Sequence, residues 1–481
     1  MRAGNESIAP VNKRKGSTYQ QEEDGDSQAV PELPEDILCH IHSLMPLRDA
    51  ARSACLSRAF LHSWRCRPNL TLNSDTLCSK AHVHKEDFSN IIDSIMRNHS
   101  GIRVKILKLQ LFTIACHNLD SWLQVGVTPG IEELTVVASI FNMNYNFPCS
   151  LLSNGSGNSI RSLHFGRCAF HPTAELCPLR SLTSLNLYFV HITGDELECL
   201  LSNSLVLERL VLSHCNELIC LKIPCMLQWF SYLSAITCSR LQVIDNQAPN
   251  LSSLYLSGNV IGETSQMKNL TMNCSKGVCY ARANLPSIMP NLETLYIRSG
   301  GEVVDTPMLP TKFLYLKHLT ICLRYGTPPP FDYFSLVSFL DASPSLETLI
   351  LHVGQGPMEH LHDSVLGHSS PLRQLAEPHS CSLKNVKITR FSSAKSLVEL
   401  TCHILKNAVP LECLTLDTIY GFRCSDKYYG RCQFRDKSVL REAPRALEAI
   451  KTHIEDKVPA RVKLTVKEPC SRCHAVPVGG W

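Results

Sequence analysis

The sequence predicts an α/β protein in three parts: a small three-helix unit, an irregular solenoid with a curved parallel sheet, and an α/β cap. Three observations predict it. Residues 33–70 carry apolar side chains at helical spacing between prolines. From about residue 100 to 420 a short leucine motif recurs. After Leu383 the apolar period switches between that of a helix and that of a strand. The 481 residues are 44% hydrophobic and 19% charged, a folding composition with material for a large core.

Residues 1–30 are polar and almost free of aliphatics, so a disordered tail is expected. The triplet Lys13, Arg14, Lys15 is a weak match for a nuclear-import signal; a solvated tail is the preferred reading. The helical unit, residues 31–70, opens at Leu33. Pro34 suits a helix start, and Glu35 and Asp36 complement the positive end of the helix dipole. Ile37, Leu38, Ile41, Leu44 and Met45 recur at helical spacing before Pro46 stops the helix. A second helix fits Leu47 to Cys55, and a third Ser57 to Arg65, ending before Pro68. A unit this short rarely folds alone, so it must borrow burial from the rest of the chain or from a partner.

Residues 71–100 read as a linker and helical lead-in, and 101–380 as the repeats. The motif is L-x-x-L-x-L: IRSLHF from Ile160, LTSLNL from Leu182, LERLVL from Leu207, LSSLYL from Leu251, LETLYI from Leu292, LKHLTI from Leu316, LETLIL from Leu346, LKNVKI from Leu383 and LECLTL from Leu411. Weaker copies start at Val104, Ile131 and Met267. The clearest steps, 22, 25, 24, 30 and 28 residues, lie near the period of leucine-rich repeats. The L-x-L portion predicts a short strand with its leucines inward, and stacked copies bury one continuous leucine column. Eight residues after the first leucine the strict motif has Cys or Asn, here Cys168, Cys215 and Asn259.

The residues between the leucines then face the concave surface. That column reads His164, Asn186, Val211, Tyr255, Tyr296, Thr320, Ile350, Lys387 and Thr415. Tyr255 and Tyr296 offer large contact area at low entropy cost, and Arg209, Lys317 and Lys384 add positive charge. A Pro-rich stretch near Phe331, with a helix from Phe334 to Leu340, and the 351–382 insertion interrupt the rhythm. Residues 381–468 predict terminal repeats and a cap: a helix through Leu397, Leu400 and Ile404, another from Ala446 to Ile454, and an edge strand with Val462, Leu464 and Val466 alternating. Residues 469–481 read as a tail.

The net charge of +4 comes without a basic stripe, so no direct nucleic-acid binding is expected. No stretch approaches the ~18 apolar residues of a membrane helix, and the first residues lack a signal-peptide core, so no membrane association is expected. The odd count of 23 cysteines then points to free thiols in a reducing compartment, nucleus and/or cytoplasm. No nucleophile elbow, Walker loop or dinucleotide fingerprint is present, and no enzyme is expected. Cys470-x-x-Cys473-His474 matches a haem-attachment pattern without export context. Cys424, Cys432, Cys470 and Cys473 offer four thiolates, but the seven residues inside the first pair make a poor zinc spacing. Ordinary thiols are preferred, with no metal and no cofactor. His82, His84, His360, His362 and Asp363 read as solvated loop residues rather than ligands.

From Leu33-Pro34-Glu35-Asp36 through Trp64, the helical unit resembles the F-box. The whole layout resembles plant F-box/leucine-rich-repeat proteins, many ending in an FBD-type region, which LKNVKI and FSSAKSLVELTCHILKNAVPLECLTLD resemble here. The resemblance implies a non-catalytic substrate-recognition subunit of an SCF-type ubiquitin ligase. Its F-box would dock on a Skp-type adaptor, and through it a cullin, while the repeats hold a target protein. It implies adaptor-facing Leu33, Pro34, Ile37, Leu38, Ile41 and Leu44, with Leu47, Leu56 and Trp64 shared between docking and core. The target-binding candidates are His164, Asn186, Arg209, Tyr255, Tyr296, Lys317, Lys384 and Lys387. The F-box departs from its family around Cys55 to Phe60, with the tryptophan displaced to Trp64. Alternatives are a non-ligase repeat scaffold and a receptor in which a small molecule joins target to repeat surface.

Overall fold

Three helices open the chain: α1 (Glu35–Leu44), α2 (Leu47–Ser53) and α3 (Arg58–Arg65). Pro34 and Pro46 stand at the caps of α1 and α2 with φ of −52°, where no intrahelical N–H is needed. Ser57 caps α3, its hydroxyl accepting from the Phe60 N–H at 3.1 Å. These bounds follow from a computed structural model that describes residues 33–474, apart from 78–84, 101–103, 112–117, 140–144, 154, 174–175, 259–265, 303–305, 325–330, 355–363, 367–370, 374–381, 422–423, 425–431 and 434–436. The N-terminal tail, Asn259, the histidines at 82, 84, 360 and 362, Asp363, and most of the 351–382 insertion lie outside the described residues.

The strands are β1 (Asn69–Leu72), β2 (Ile106–Gln110), β3 (Glu133–Val137), β4 (Ser162–Gly166), β5 (Ser184–Tyr188), β6 (Arg209–Ser213), β7 (Cys220–Ile223), β8 (Tyr232–Ile236), β9 (Val243–Asn246), β10 (Ser253–Ser257), β11 (Asn269–Ser275), β12 (Thr294–Gly300), β13 (His318–Leu323), β14 (Thr348–His352), β15 (Asn385–Thr389), β16 (Cys413–Asp417) and β17 (Lys463–Lys467). Fifteen of them form one parallel sheet in chain order, and β7 and β9 pair separately. The pairing is in register. Leu163, Leu185, Leu210, Leu233, Leu254, Leu270, Leu295 and Leu319 are successive partners, all buried. A one-residue slip would turn that column outward, so the leucines themselves hold the register. One hydrophobic cluster runs unbroken from Leu47 to Val462.

The repeats do not wait for Val104. The strand β1 follows α3 after three residues and pairs with β2, which makes the three-helix unit continuous with the sheet. Another repeat strand, β8, escapes the leucine motif because Ala235 stands where the last aliphatic is expected.

Connections carry α4 (Ser74–Leu77), α5 (Lys85–Asn98), α6 (Leu119–Gly126), α7 (Ser150–Ser153), α8 (Gly194–Ser202), α9 (Gly277–Ile288), α10 (Val337–Ala342), α11 (Lys395–Asn407) and α12 (Lys437–His453). The start of α8 was written in the chain: Thr193 and Glu196 make a reciprocal capping box. The helix expected from Phe334 is a 3₁₀ turn, Tyr333–Leu336, running into α10. The helix expected from Ala446 starts earlier, at Lys437, and passes through Pro444. Its Glu442 is buried and accepts from the Ser393 N–H and hydroxyl at 2.8 and 2.6 Å, tying the cap to the turn after β15.

Five repeats turn at the same place. Arg167, Phe189, His214, Thr237 and Arg390 each follow the last residue of a strand with φ between 52° and 56°. The twist sends the next residue inward: Cys168, Val190, Cys215, Cys238 and Phe391 are all buried. This explains the Cys position of the motif, which needs a small or apolar side chain directly after a left-handed residue. A β-branched residue is strained there. Thr237 is exposed, so Thr237→Gly is expected to raise stability by about 0.5 kcal/mol, because relief of ~1–2 kcal/mol exceeds the ~0.5–1 kcal/mol entropic cost of glycine. Chemical denaturation checks it; a lower midpoint would refute the strain. Phe189→Gly should not gain, since its ring stacks on His214 at 4.2 Å.

Candidate docking face and concave surface

Helix α1 has a buried side and an exposed apolar side. The first holds Leu38 at 9% exposure and His42 one turn on. The other faces solvent: Leu33 at 51%, Ile37, Ile41 and Leu44 at 73%. Residues 37 and 41 are four apart and 44 is three further, so they line one side of the helix, with Leu33 exposed just before its Pro34 cap. Pro34 is exposed beside them. Leu56, at 76%, and Leu61 on α3 extend the exposed apolar set. Leu38 and Leu47, expected to face an adaptor in whole or part, are core residues instead. Leu56 is outward, and Trp64 is half-buried against the core. The period alone could not tell Leu38 from the exposed face, because both are aliphatic.

The unit is held to the solenoid by a residue the sequence did not single out. Arg67 is buried and donates to the carbonyls of His42 at 2.5 Å, Met45 at 2.7 Å and Asn69 at 3.0 Å. It therefore caps the C-terminal end of α1 with positive charge and grips the first residue of β1. Its own carbonyl is 2.9 Å from His99 Nε2, at the end of α5. Burial, then the Arg67 charge, lowers the His42 pKa; burial likewise lowers that of His99. His42 Nε2 lies 2.8 Å from the Ser53 hydroxyl, joining α1 to α2.

The residues between the leucines stand in one row across the strands: His164, Asn186, Val211, Ser234, Tyr255, Thr271, Tyr296, Thr320, Ile350, Lys387 and Thr415. Ser234 and Thr271 fill the steps that the motif left blank. His164 is partly buried, and burial together with Lys108 lowers its pKa. Arg209 lies one row nearer the strand starts, its guanidinium 4.5 Å from the centre of the Tyr232 ring.

Lys317 and Lys384 are placed differently from expectation. They sit one residue before their strands and pair with glutamates of the preceding repeat, Lys317 with Glu293 at 3.3 Å and Lys384 with Glu347 at 3.4 Å. Lys268 with Glu293 and Lys105 with Glu132 pair in the other direction, each lysine with a glutamate of the following repeat. The four pairs form a charge ladder along the N-terminal edge of the sheet. Exposed pairs of this kind contribute little each. Their lysines are engaged in repeat-to-repeat contacts.

The positive charge of the concave face lies elsewhere, on β12 to β15. Arg298 and Lys387 are exposed there, close to His352, whose pKa is lowered first by burial and then by Lys387, Arg390 and Arg298. The Tyr296 hydroxyl accepts from the Cys322 thiol at 3.1 Å, and burial raises its pKa to about 12. The Tyr420 ring is 5.1 Å from His352 and 6.0 Å from the Arg390 guanidinium. Arg298, His352, Arg390 and Tyr420 were missed because they occupy strand ends and turns, outside the L-x-L window.

Two family models match these parts. The F-box domain matches residues 30–71, and the model described as At1g61320/AtMIF1, LRR domain, matches residues 95–471. The chain belongs to the At1g61320/AtMIF1 leucine-rich-repeat family. Relatives from Arabidopsis thaliana match as well. The F-box/FBD/LRR-repeat protein At1g13570 is 23% identical over 81% of this chain and 91% of its own length. The putative FBD-associated F-box protein At5g53635 is 23% identical over 81% and 95%. The F-box/LRR-repeat protein At5g02910 is 27% identical over 40% of each. The resemblance to plant F-box/leucine-rich-repeat proteins with an FBD-like end is thereby borne out. For this family member, the exposed stripe of α1 is the F-box surface, and the columns on the sheet are the leucine-rich-repeat surface.

Proposed function

We propose that the chain is the non-catalytic substrate-recognition subunit of an SCF-type ubiquitin ligase. The F-box docks on a Skp-type adaptor, through which a cullin is reached, and the concave face of the repeats holds the target. The carrying observation is the exposed stripe Ile37, Ile41 and Leu44, with Leu33 just before it, on a helix whose opposite side is buried. A partner's helices complete a unit of that size and shape by taking its apolar side into a groove. The target end is best placed at β12 to β15, where Tyr296, Arg298, His352 and Lys387 offer aromatic area and positive charge to an acidic segment.

The test is affinity capture from cells, read for adaptor, cullin and target proteins together. Arg298→Glu combined with Lys387→Glu is expected to keep adaptor and cullin while losing most target capture. Both side chains are exposed, so the fold should tolerate the change. A wild-type chain that brings down neither adaptor nor cullin would overturn the ligase reading. Unchanged targets in the double variant would remove them from β12 to β15.

A further inference from the structure

We propose that Cys424, Cys432, Cys470 and Cys473 bind one zinc ion through four thiolates, and that this site locks the C-terminal edge of the solenoid. Sequence spacing argued against such a site, because a gap of seven residues is long for one zinc-binding loop. Sheet topology removes the objection. Strands β16 and β17 pair in parallel from Cys413 opposite Lys463 to Asp417 opposite Lys467. The segments that leave their C-terminal ends therefore emerge side by side. The Thr418 N–H and hydroxyl both donate to the Lys467 carbonyl, at 3.1 and 3.0 Å, and hold the two exits together. Cys424 and Cys432 follow the first exit; Cys470 and Cys473 follow the second.

The four sulfurs all lie within 4.8 Å of one another. The Cys424 and Cys470 sulfurs are 3.6 Å apart. A tetrahedral ZnS₄ centre with Zn–S bonds of ~2.3 Å has sulfurs about 3.8 Å apart, so little movement is needed to close it. All four are free thiols. Disulfides would join them only in pairs and leave no reason for the pairs to converge. The surroundings also fit a metal centre, since metal ligands are generally held by outer hydrogen bonds. The Cys424 N–H donates to the Cys432 sulfur at 3.3 Å. Backbone N–H groups of Cys473 and Arg472 donate to the Cys470 sulfur. The turn Cys470 to His474 is closed by a backbone bond of 2.8 Å, and His474 Nε2 lies 3.2 Å from the Gln433 carbonyl, bridging the two segments.

The chemistry selects the metal and the role. Four soft thiolates favour Zn²⁺ over the hard cations Mg²⁺ and Ca²⁺. Four protein ligands leave no position for substrate, which marks a structural site. Its place in the fold gives it work to do. Among the described residues strand β17 ends the sheet order and is paired on one side only, and an unpaired edge is prone to fray or to accept another strand. Solenoids need their terminal repeats closed. A zinc cross-link between the segments after β16 and β17 would close this one.

The test uses the full chain, purified reduced and without chelator, with zinc measured by elemental mass spectrometry. About one zinc per chain is expected. Reconstitution with Co²⁺ alone should give the thiolate-to-cobalt charge-transfer and intense d–d bands of a tetrahedral sulfur centre. Cys424→Ser and Cys470→Ser should each lose metal, while Cys220→Ser and Cys402→Ser, at thiols elsewhere, should keep it. Removing zinc from the wild type should speed hydrogen exchange in β17. Should the serine variants fail to fold, the wild-type zinc content and cobalt spectrum still decide. A wild-type chain that holds no zinc after gel filtration, or a cobalt spectrum without thiolate charge transfer, overturns the proposal.

Discussion

Replacing Ile37 and Leu44 by aspartate is expected to abolish adaptor capture and leave the thermal midpoint of the chain nearly unchanged. Both side chains are exposed in the free protein, so little native packing is lost. In a complex each would bury an aliphatic side chain, worth ~1.5–3 kcal/mol. Two such losses, before any cost of burying carboxylates, amount to at least about 3 kcal/mol, or more than ~100-fold in Kd. Calorimetric titration against a Skp-type adaptor measures the loss, and circular dichroism checks the fold. Leu38→Asp is the contrasting variant. It places a charge in the core and should unfold the three-helix unit. Equal adaptor binding by wild type and the Ile37/Leu44 variant would dismiss this face as the docking surface.

Arg67→Met carries the second large effect. The methionine preserves much of the side-chain volume but removes the guanidinium donor from the carbonyls of Met45 and Asn69, while that of His42 keeps the Met45 N–H at 3.3 Å. Each orphaned buried acceptor costs ~1–3 kcal/mol, so a loss of about 2 kcal/mol or more is expected. The effect should be local. Hydrogen exchange across α1 to α3 should rise steeply, while β4 to β14 keep their protection, because no Arg67 contact reaches them. A uniform loss of protection along the whole solenoid would show that the helical unit and the repeats unfold together. Unchanged exchange would show that Arg67 is not the clasp.

Much of this architecture was legible in the residues. Helical spacing from Leu33, the prolines at 34 and 46 and the recurring L-x-x-L-x-L marked the helices, the strands and the concave column. They are legible because burial imposes period: a strand must alternate, a helix must repeat every three to four residues. Where burial and exposure used the same residue type, the sequence was mute. Leu38 and Ile37 are equally aliphatic, yet one packs inward and the other faces solvent. Lys317 and Lys384 read as open cations until the register set a glutamate of the preceding repeat beside each.

The cysteines follow the same division. The sequence by itself determined that Cys168 and Cys215 would be buried, since a motif position after a fixed number of residues meets the same environment in every repeat. It determined the class of fold, the opening helix and the column of residues between the leucines. Only the tertiary structure decided which side of α1 is free, which cations remain on the concave face, and that Cys424 and Cys432 meet Cys470 and Cys473. Those contacts join segments up to 49 residues apart through the parallel pairing of β16 with β17. Local pattern records how a residue meets its own repeat, whereas such long-range juxtaposition exists only once the sheet has formed.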